Sequence, residues 1–157
     1  MEKQAIILSS IGTVVLFSIF LGYTYFTDAQ ALYQIESEIV GIEHIDPKLT
    51  SATLTYTLSI INPSSKPIND LSSEFEIYIE SNYIGTGSFS DIDINPESTT
   101  KKSMTVTIYY SGLAKAGIDA LENWASGQDT TLVIDGTMRA SILFGLTEAS
   151  QDFIAST

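Results

Sequence analysis

The chain has 157 residues, with 19 acids against 7 bases, a net charge of −12, no cysteine and one histidine. That balance repels phosphate backbones and argues against nucleic-acid binding. The missing cysteines exclude disulfides, zinc thiolates, iron–sulfur clusters and cysteine nucleophiles. A lone His44 excludes any site that needs two imidazoles.

Residues 1–4 hold the first charges, Glu2 and Lys3; residues 5–26 then carry none. As a helix rising about 1.5 Å per residue, segment 5–26 is about 33 Å long, enough for a hydrocarbon core of about 30 Å. Tyr23, Tyr25 and Phe26 lie at its far end, where aromatic rings favour the headgroup zone. The segment is therefore expected to be a single-pass transmembrane anchor. Lys3 before it, and Asp28, Glu36 and Glu38 after it, put the N-terminus in the cytoplasm and the C-terminal domain outside the cell membrane. Two fates stay open. The length of the apolar run favours a retained anchor, whereas Ala29-Gln30-Ala31 fits the small-x-small pattern of a signal peptidase site. Ser18 and Gly22 form a small-xxx-small pair able to pack against another helix.

Residues 27–34 read as a polar linker, and 35–157 as one β domain. The first strand, about 35–45, alternates imperfectly, with Ile35, Ile39 and Ile45 on one side and Val40 and Ile42 on the other. Residues 51–61 alternate cleanly, Leu54, Tyr56, Leu58 and Ile60 against Thr53, Thr55, Thr57 and Ser59, as in a half-buried strand. Asn62-Pro63-Ser64-Ser65-Lys66-Pro67 ends it, because proline cannot donate to a ladder. This turn is the candidate structural or contact site, carried by Asn62, Pro63, Ser64, Lys66 and Pro67.

Phe75, Ile77 and Ile79 mark the inner face of the next strand, and Ser81-Asn82 reads as a hairpin turn. Gly85 and Gly87 suggest bulging or close backbone approach. Asp91-Ile92-Asp93-Ile94-Asn95 looks like the opening of a calcium loop, but Pro96 and Lys102 stand where that loop needs Gly and a bidentate Glu. A strand end remains. Another strand spans 101–110. The period then changes: Leu113, Gly117, Ala120, Leu121 and Trp124 form a helical stripe over 111–126, with Ser111 as N-cap, Lys115 and Asp119 paired, and Gly127 as the stop. A long strand over 129–144 puts Leu132, Ile134, Met138, Ile142 and Phe144 on one face, and 146–153 is a weaker strand.

The expected fold is all-β with one helix, an antiparallel immunoglobulin or fibronectin-III-like sandwich behind a single N-terminal transmembrane helix. The pattern resembles the late-embryogenesis-abundant type 2 family, also called the water-stress and hypersensitive-response domain, over residues 35–153. The residues carrying the likeness are Asn62-Pro63-Ser64 after an alternating strand, Phe75–Ile79 with the Ile84-Gly85 return, and the polar break before Met104–Ile108. The helix ending near Trp124, and the strand with Gly136 and Phe144, continue it. The family often has Asn-Pro-Asn at the turn; Ser64 replaces the last Asn here. The resemblance implies a frequently membrane-anchored sandwich with no established catalytic residues and a link to stress protection. No nucleophile elbow accompanies His44. The expected function is accordingly non-enzymatic, without cofactor or metal. The domain would bind or protect partners at the outer membrane face, or act as an accessory subunit among other membrane or envelope proteins.

Overall fold

The computed structural model describes residues 2–157, with side chains from residue 12 onward. Helix α1 (Glu2–Tyr33) leads into seven strands: β1 (Glu36–Pro47), β2 (Ser51–Asn62), β3 (Ile68–Ile79), β4 (Asn82–Ile94), β5 (Ser98–Tyr109), β6 (Leu132–Ile142) and β7 (Thr147–Ser156). Helix α2 (Lys115–Ala125) lies between β5 and β6. A three-stranded sheet, β1-β2-β5, faces a four-stranded sheet, β4-β3-β6-β7, and every pairing is antiparallel. The expected antiparallel sandwich is present.

Alternation becomes core directly. Leu54, Tyr56, Leu58 and Ile60 of β2 meet Phe75, Ile77 and Ile79 of β3 and Leu132, Ile134 and Met138 of β6 in one buried cluster. Burying a side chain of that size stabilises by about 1.5–3 kcal/mol. Outward threonines interact across strands, as Thr55 with Thr105 at 3.3 Å.

Where alternation looked imperfect, the backbone bulges. β1 slips register between Ile39 and Gly41 and again between Ile42 and His44. Each extra residue flips the pleat, so Ile39, Ile42 and Ile45 pair with buried Leu58, Tyr56 and Leu54. The split into two faces at Val40/Ile42 and Ile39/Ile45 is thus corrected: only Val40 turns outward. β3 does the same between Ile68 and Leu71, where Asp70 takes a left-handed backbone (φ 52). In β4, Asp91 (φ 57) sits at a bulge and Ile92 and Ile94 face the core, which accounts for the acid run as a strand end.

Four boundaries move. Residues 27–33, expected as a linker, continue α1 and bury Ala29, Ala31 and Leu32 against the sandwich. The β3–β4 hairpin turns one residue earlier, at Glu80 and Ser81 (φ 48 and 67), the pair of positive φ angles that matches strand twist. α2 starts after Ala114 with no side-chain cap, because Ser111 is held in a short 3-10 turn, Tyr110–Gly112. Its predicted stripe is kept, with Gly117, Ala120 and Leu121 buried and Leu113 and Trp124 packed at the core's margin. β6 ends at Ile142, so Phe144 is not on its inner face; it sits exposed in the turn to β7.

Phe75 is paired with Gly87 on β4 and Gly136 on β6. A Cβ at Gly136 would lie 2.4 Å from the Glu74 carbonyl oxygen and 2.5 Å from Phe75 Cβ. Backbone cannot yield as a flexible side chain does. Gly136→Ala is expected to destabilise the fold by about 1–3 kcal/mol, measured as a lower urea midpoint at unchanged slope. Tyr56 is fully buried, its hydroxyl has no hydrogen-bond partner among the described residues, and burial pushes its pKa up. An orphan hydroxyl costs about 1–3 kcal/mol. Tyr56→Phe is therefore expected to raise the melting temperature.

Candidate functional site

Three connections meet at the end of the sandwich from which α1 emerges: β2 to β3, β4 to β5, and β6 to β7. The first two change sheets. The predicted turn is the first of them, and its leading residue is not on the surface. Asn62 is 0% exposed. Its Nδ2 donates to the Lys66 carbonyl at 2.8 Å and to the Asn95 carbonyl at 3.1 Å. Its Oδ1 accepts from the Ser64 N–H at 3.0 Å and the Ser64 hydroxyl at 2.7 Å. One amide thus closes its own turn and grips the β4–β5 connection.

Ser64 completes the knot. Its hydroxyl accepts from the Lys66 N–H at 3.2 Å, and its carbonyl accepts from the Glu97 N–H at 2.9 Å. A hydroxyl therefore suffices at a position where the resembling family often carries an amide. Pro63 and Pro67 are exposed and bracket the loop. Proline fixes φ near −65° and needs no donor partner, which lets a short turn cross between sheets.

Lys66 links the turn to the helix. Its ammonium lies 3.8 Å from Asp28 of α1, and the other oxygen of Asp28 accepts the Leu143 N–H of the β6–β7 turn at 3.1 Å. The pair is half exposed and worth about 0–1 kcal/mol by itself. Its geometry matters more, since Asp28 touches two loops at once. Tyr23, Thr27, Gln30 and Ala31 of the helix, with Gln34 just after it, face Pro63–Lys66 and Glu97 across an open groove of about 440 Å³. Among these groups no nucleophile is paired with a base.

Ser18 and Gly22 lie on an exposed side of α1. The Ser18 hydroxyl donates to the Val14 carbonyl of its own helix at 2.9 Å, and nothing stands within 4 Å of a Cβ built on Gly22. The structure does not bring this pair to the Asn62 turn. His44 is exposed on the bulged edge strand β1. No group of three or more His, Cys, Asp or Glu able to hold a metal occurs among the described residues. The first residues of the expected span, 5–11, lie outside the described side chains; among the described residues, no helix is long and apolar enough to cross a membrane.

Sequence reasoning missed Asp28 and Asn95. In the sequence Asp28 reads only as a charge after the apolar run and Asn95 only as the end of the acidic strand-end run; both matter through contacts with residues far away in sequence.

The same fold occurs in a protein of Arabidopsis thaliana solved in solution. The match has a TM-score of 0.57 and 16% identity, and covers 78% of each chain. Two looser matches are a candidate late embryogenesis abundant protein and a protein from Archaeoglobus fulgidus. The first has a TM-score of 0.42, 12% identity, and covers 93% of this chain and 86% of the other. The second has a TM-score of 0.43, 12% identity, and covers 79% and 92%. No family model and no curated protein matches the sequence. The likeness is one of fold.

Removal of the Asn62 amide takes one donor from each of two carbonyls, leaving Lys66 to the Ser64 hydroxyl at 3.1 Å and Asn95 to the Ser98 hydroxyl at 2.8 Å, and frees the turn. Asn62→Ala is expected to cost about 2–4 kcal/mol, read as a lower denaturation midpoint of the full chain. Lys66→Ala, which removes only the half-exposed pair, is expected to cost under about 1 kcal/mol.

Proposed function

We propose that this chain is a non-catalytic sandwich of the late-embryogenesis-abundant type 2 kind, fibronectin-III-like in its three-plus-four strand order. It is tied to a membrane by α1 and binds or protects partners at the outer face. One observation carries the anchor: α1 is a continuous helix with two unlike halves. From Val14 to Phe26, Val14, Val15, Leu16, Phe17, Ile19, Phe20, Tyr23, Tyr25 and Phe26 are all exposed. From Ala29 to Leu32 the same helix is built into the domain core. An apolar helix stretch exposed around most of its circumference, with only Thr24 buried, is suited to lipid. In this reading, residues 1–4 are cytoplasmic, 5–26 span the membrane, and 35–157 form the outer domain.

The burial of Ala29 and Ala31 supports retention of the helix. Small residues there have a packing reason, close approach to the strands, besides any resemblance to a cleavage pattern. The protective role rests on the family-like Asn62-Pro63-Ser64 turn and the shared fold, and is the more distant part of the proposal.

A second reading is favoured by Ser18 and Gly22. Their open helix face could receive another helix, making the chain an accessory subunit of a membrane complex. Co-purification of a partner in mild detergent would favour it; a clean monomer would remove it.

The anchor is tested by alkaline extraction of membranes followed by intact mass. The chain should stay with the membrane and retain residues 1–31. Release, or a mass that begins after Ala31, would end the anchor reading. Protection is tested separately, by drying a labile enzyme with the purified full chain or with an equally acidic control protein. Equal recovery in both would remove the protective role.

A further inference from the structure

The turn between β6 and β7 presents apolar side chains where a soluble domain would place polar ones. Ile142 is buried; after it come Leu143, Phe144, Gly145 and Leu146, none charged. Phe144 is 73% exposed and Leu146 is 76% exposed. Leu143 and Phe144 both take left-handed backbone angles (φ 52 and 60), as Gly145 does (φ 80). Bulky side chains adopt that region rarely. The other connections at this end, Pro63–Pro67 and Asn95–Glu97, are polar or proline-rich.

The tip has a fixed height along α1. The Phe144 ring stacks on Phe20, centroids 6.4 Å apart and planes 20° from parallel. Below it, the Leu143 N–H is held by Asp28 at 3.1 Å. Phe20 precedes Phe26 by six positions, about 9 Å along a helix. If residues 5–26 span a core of about 30 Å, Phe20 lies inside its outer edge. The turn, held at Asp28 just beyond the span and stacked on Phe20 within it, then straddles the boundary between hydrocarbon and headgroups, where aromatic rings are favoured.

We propose that Phe144 and Leu146 insert into the outer interface of the lipid bilayer, forming a second, shallow contact that fixes how the sandwich stands on the membrane. The occupant of this patch is lipid, because the patch is continuous with the exposed apolar surface of α1 at Phe20. The rigid Asp28–Leu143 link holds the two together. This inference rests on the anchor reading. A flexible tether would leave the domain free to tilt. Helix and turn together make two points of contact, so the β1–β2 turn, with Leu49 at the opposite end, and α2 face away from the bilayer.

Tryptophan fluorescence tests it on the full chain, which has a single Trp, Trp124, in α2. The protein is reconstituted into phosphatidylcholine vesicles whose acyl chains carry bromine near the headgroup, a contact quencher. Wild-type Trp124 is the far-end control and should keep its emission. Leu146→Trp in a Trp124→Phe background should be strongly quenched and blue-shifted. Val15→Trp in the same background, read in parallel vesicles brominated near the ends of the acyl chains because position 15 lies at mid-span, reports the anchor independently. Quenching at 15 without quenching at 146 overturns the insertion and leaves the anchor standing. No quenching at 15 overturns both. A blue-shifted but unquenched Trp at 146 would mean that protein, not lipid, covers the turn, and would also overturn the proposal. Adding Trp at a folded position can disturb the domain, so each variant is first matched to wild type by circular dichroism. Phe144→Ser with Leu146→Ser then provides a second measurement: in unlabelled vesicles the domain should become more accessible to protease at the 142–147 turn, and an unchanged cleavage rate would count against insertion.

Discussion

The Asn62 side chain is the contact on which this end of the molecule depends. A sandwich must carry its chain from one sheet to the other, and each crossing leaves backbone groups without ladder partners. Two such crossings, after β2 and after β4, lie side by side here. The Asn62 amide satisfies carbonyls in both, at Lys66 and Asn95, while Ser64 bonds back to its oxygen. A fully buried amide with all these partners is stabilising and specific, because any slip of either loop would strand a polar group away from water.

From that knot the order propagates outwards. Lys66, placed by the turn, reaches Asp28; Asp28 holds Leu143; Leu143 sets the β6–β7 turn against α1. Each step is weak by itself. Together with the burial of Ala29, Ala31 and Leu32, they make the last two turns of the helix part of the domain rather than a leash. A helix joined rigidly to a sandwich transmits orientation, which a polar linker over 27–34 would not do. This is the main way in which the structure changes the view of the chain: the candidate turn is an internal brace at the helix end, and the exposed features lie next to it.

Much of the sandwich was legible because a strand with one buried face writes its pleat into the sequence. Residues 54–60 and 132–142 show that directly, and the stripe from Leu113 to Trp124 shows the helical counterpart. The readings failed where the backbone departed from a simple period. Two bulges in β1 rotate Ile42 onto the same side as Ile39 and Ile45, and no local composition announces a bulge. Phe144 kept the parity of the inner face, yet the strand had already turned. Residues 27–33 looked like a linker because they are polar on one side; their alanines and Leu32 disclose a packed face only when the strands that cover them are in place.

The sequence by itself determined the strand and helix periods, the acidic net charge, and the apolar character of residues 5–26. It also marked Asn62-Pro63 as a stop, since a proline without an N–H must break a ladder wherever it stands. Those are properties of single residues and of short-range spacing. Only the tertiary structure decided that Asn62 bonds to Asn95, that Lys66 meets Asp28, and that Phe144 meets Phe20. Each of these pairs residues separated by more than thirty positions, and such pairs are fixed by how the two sheets and the helix close on one another, not by any local preference of the chain.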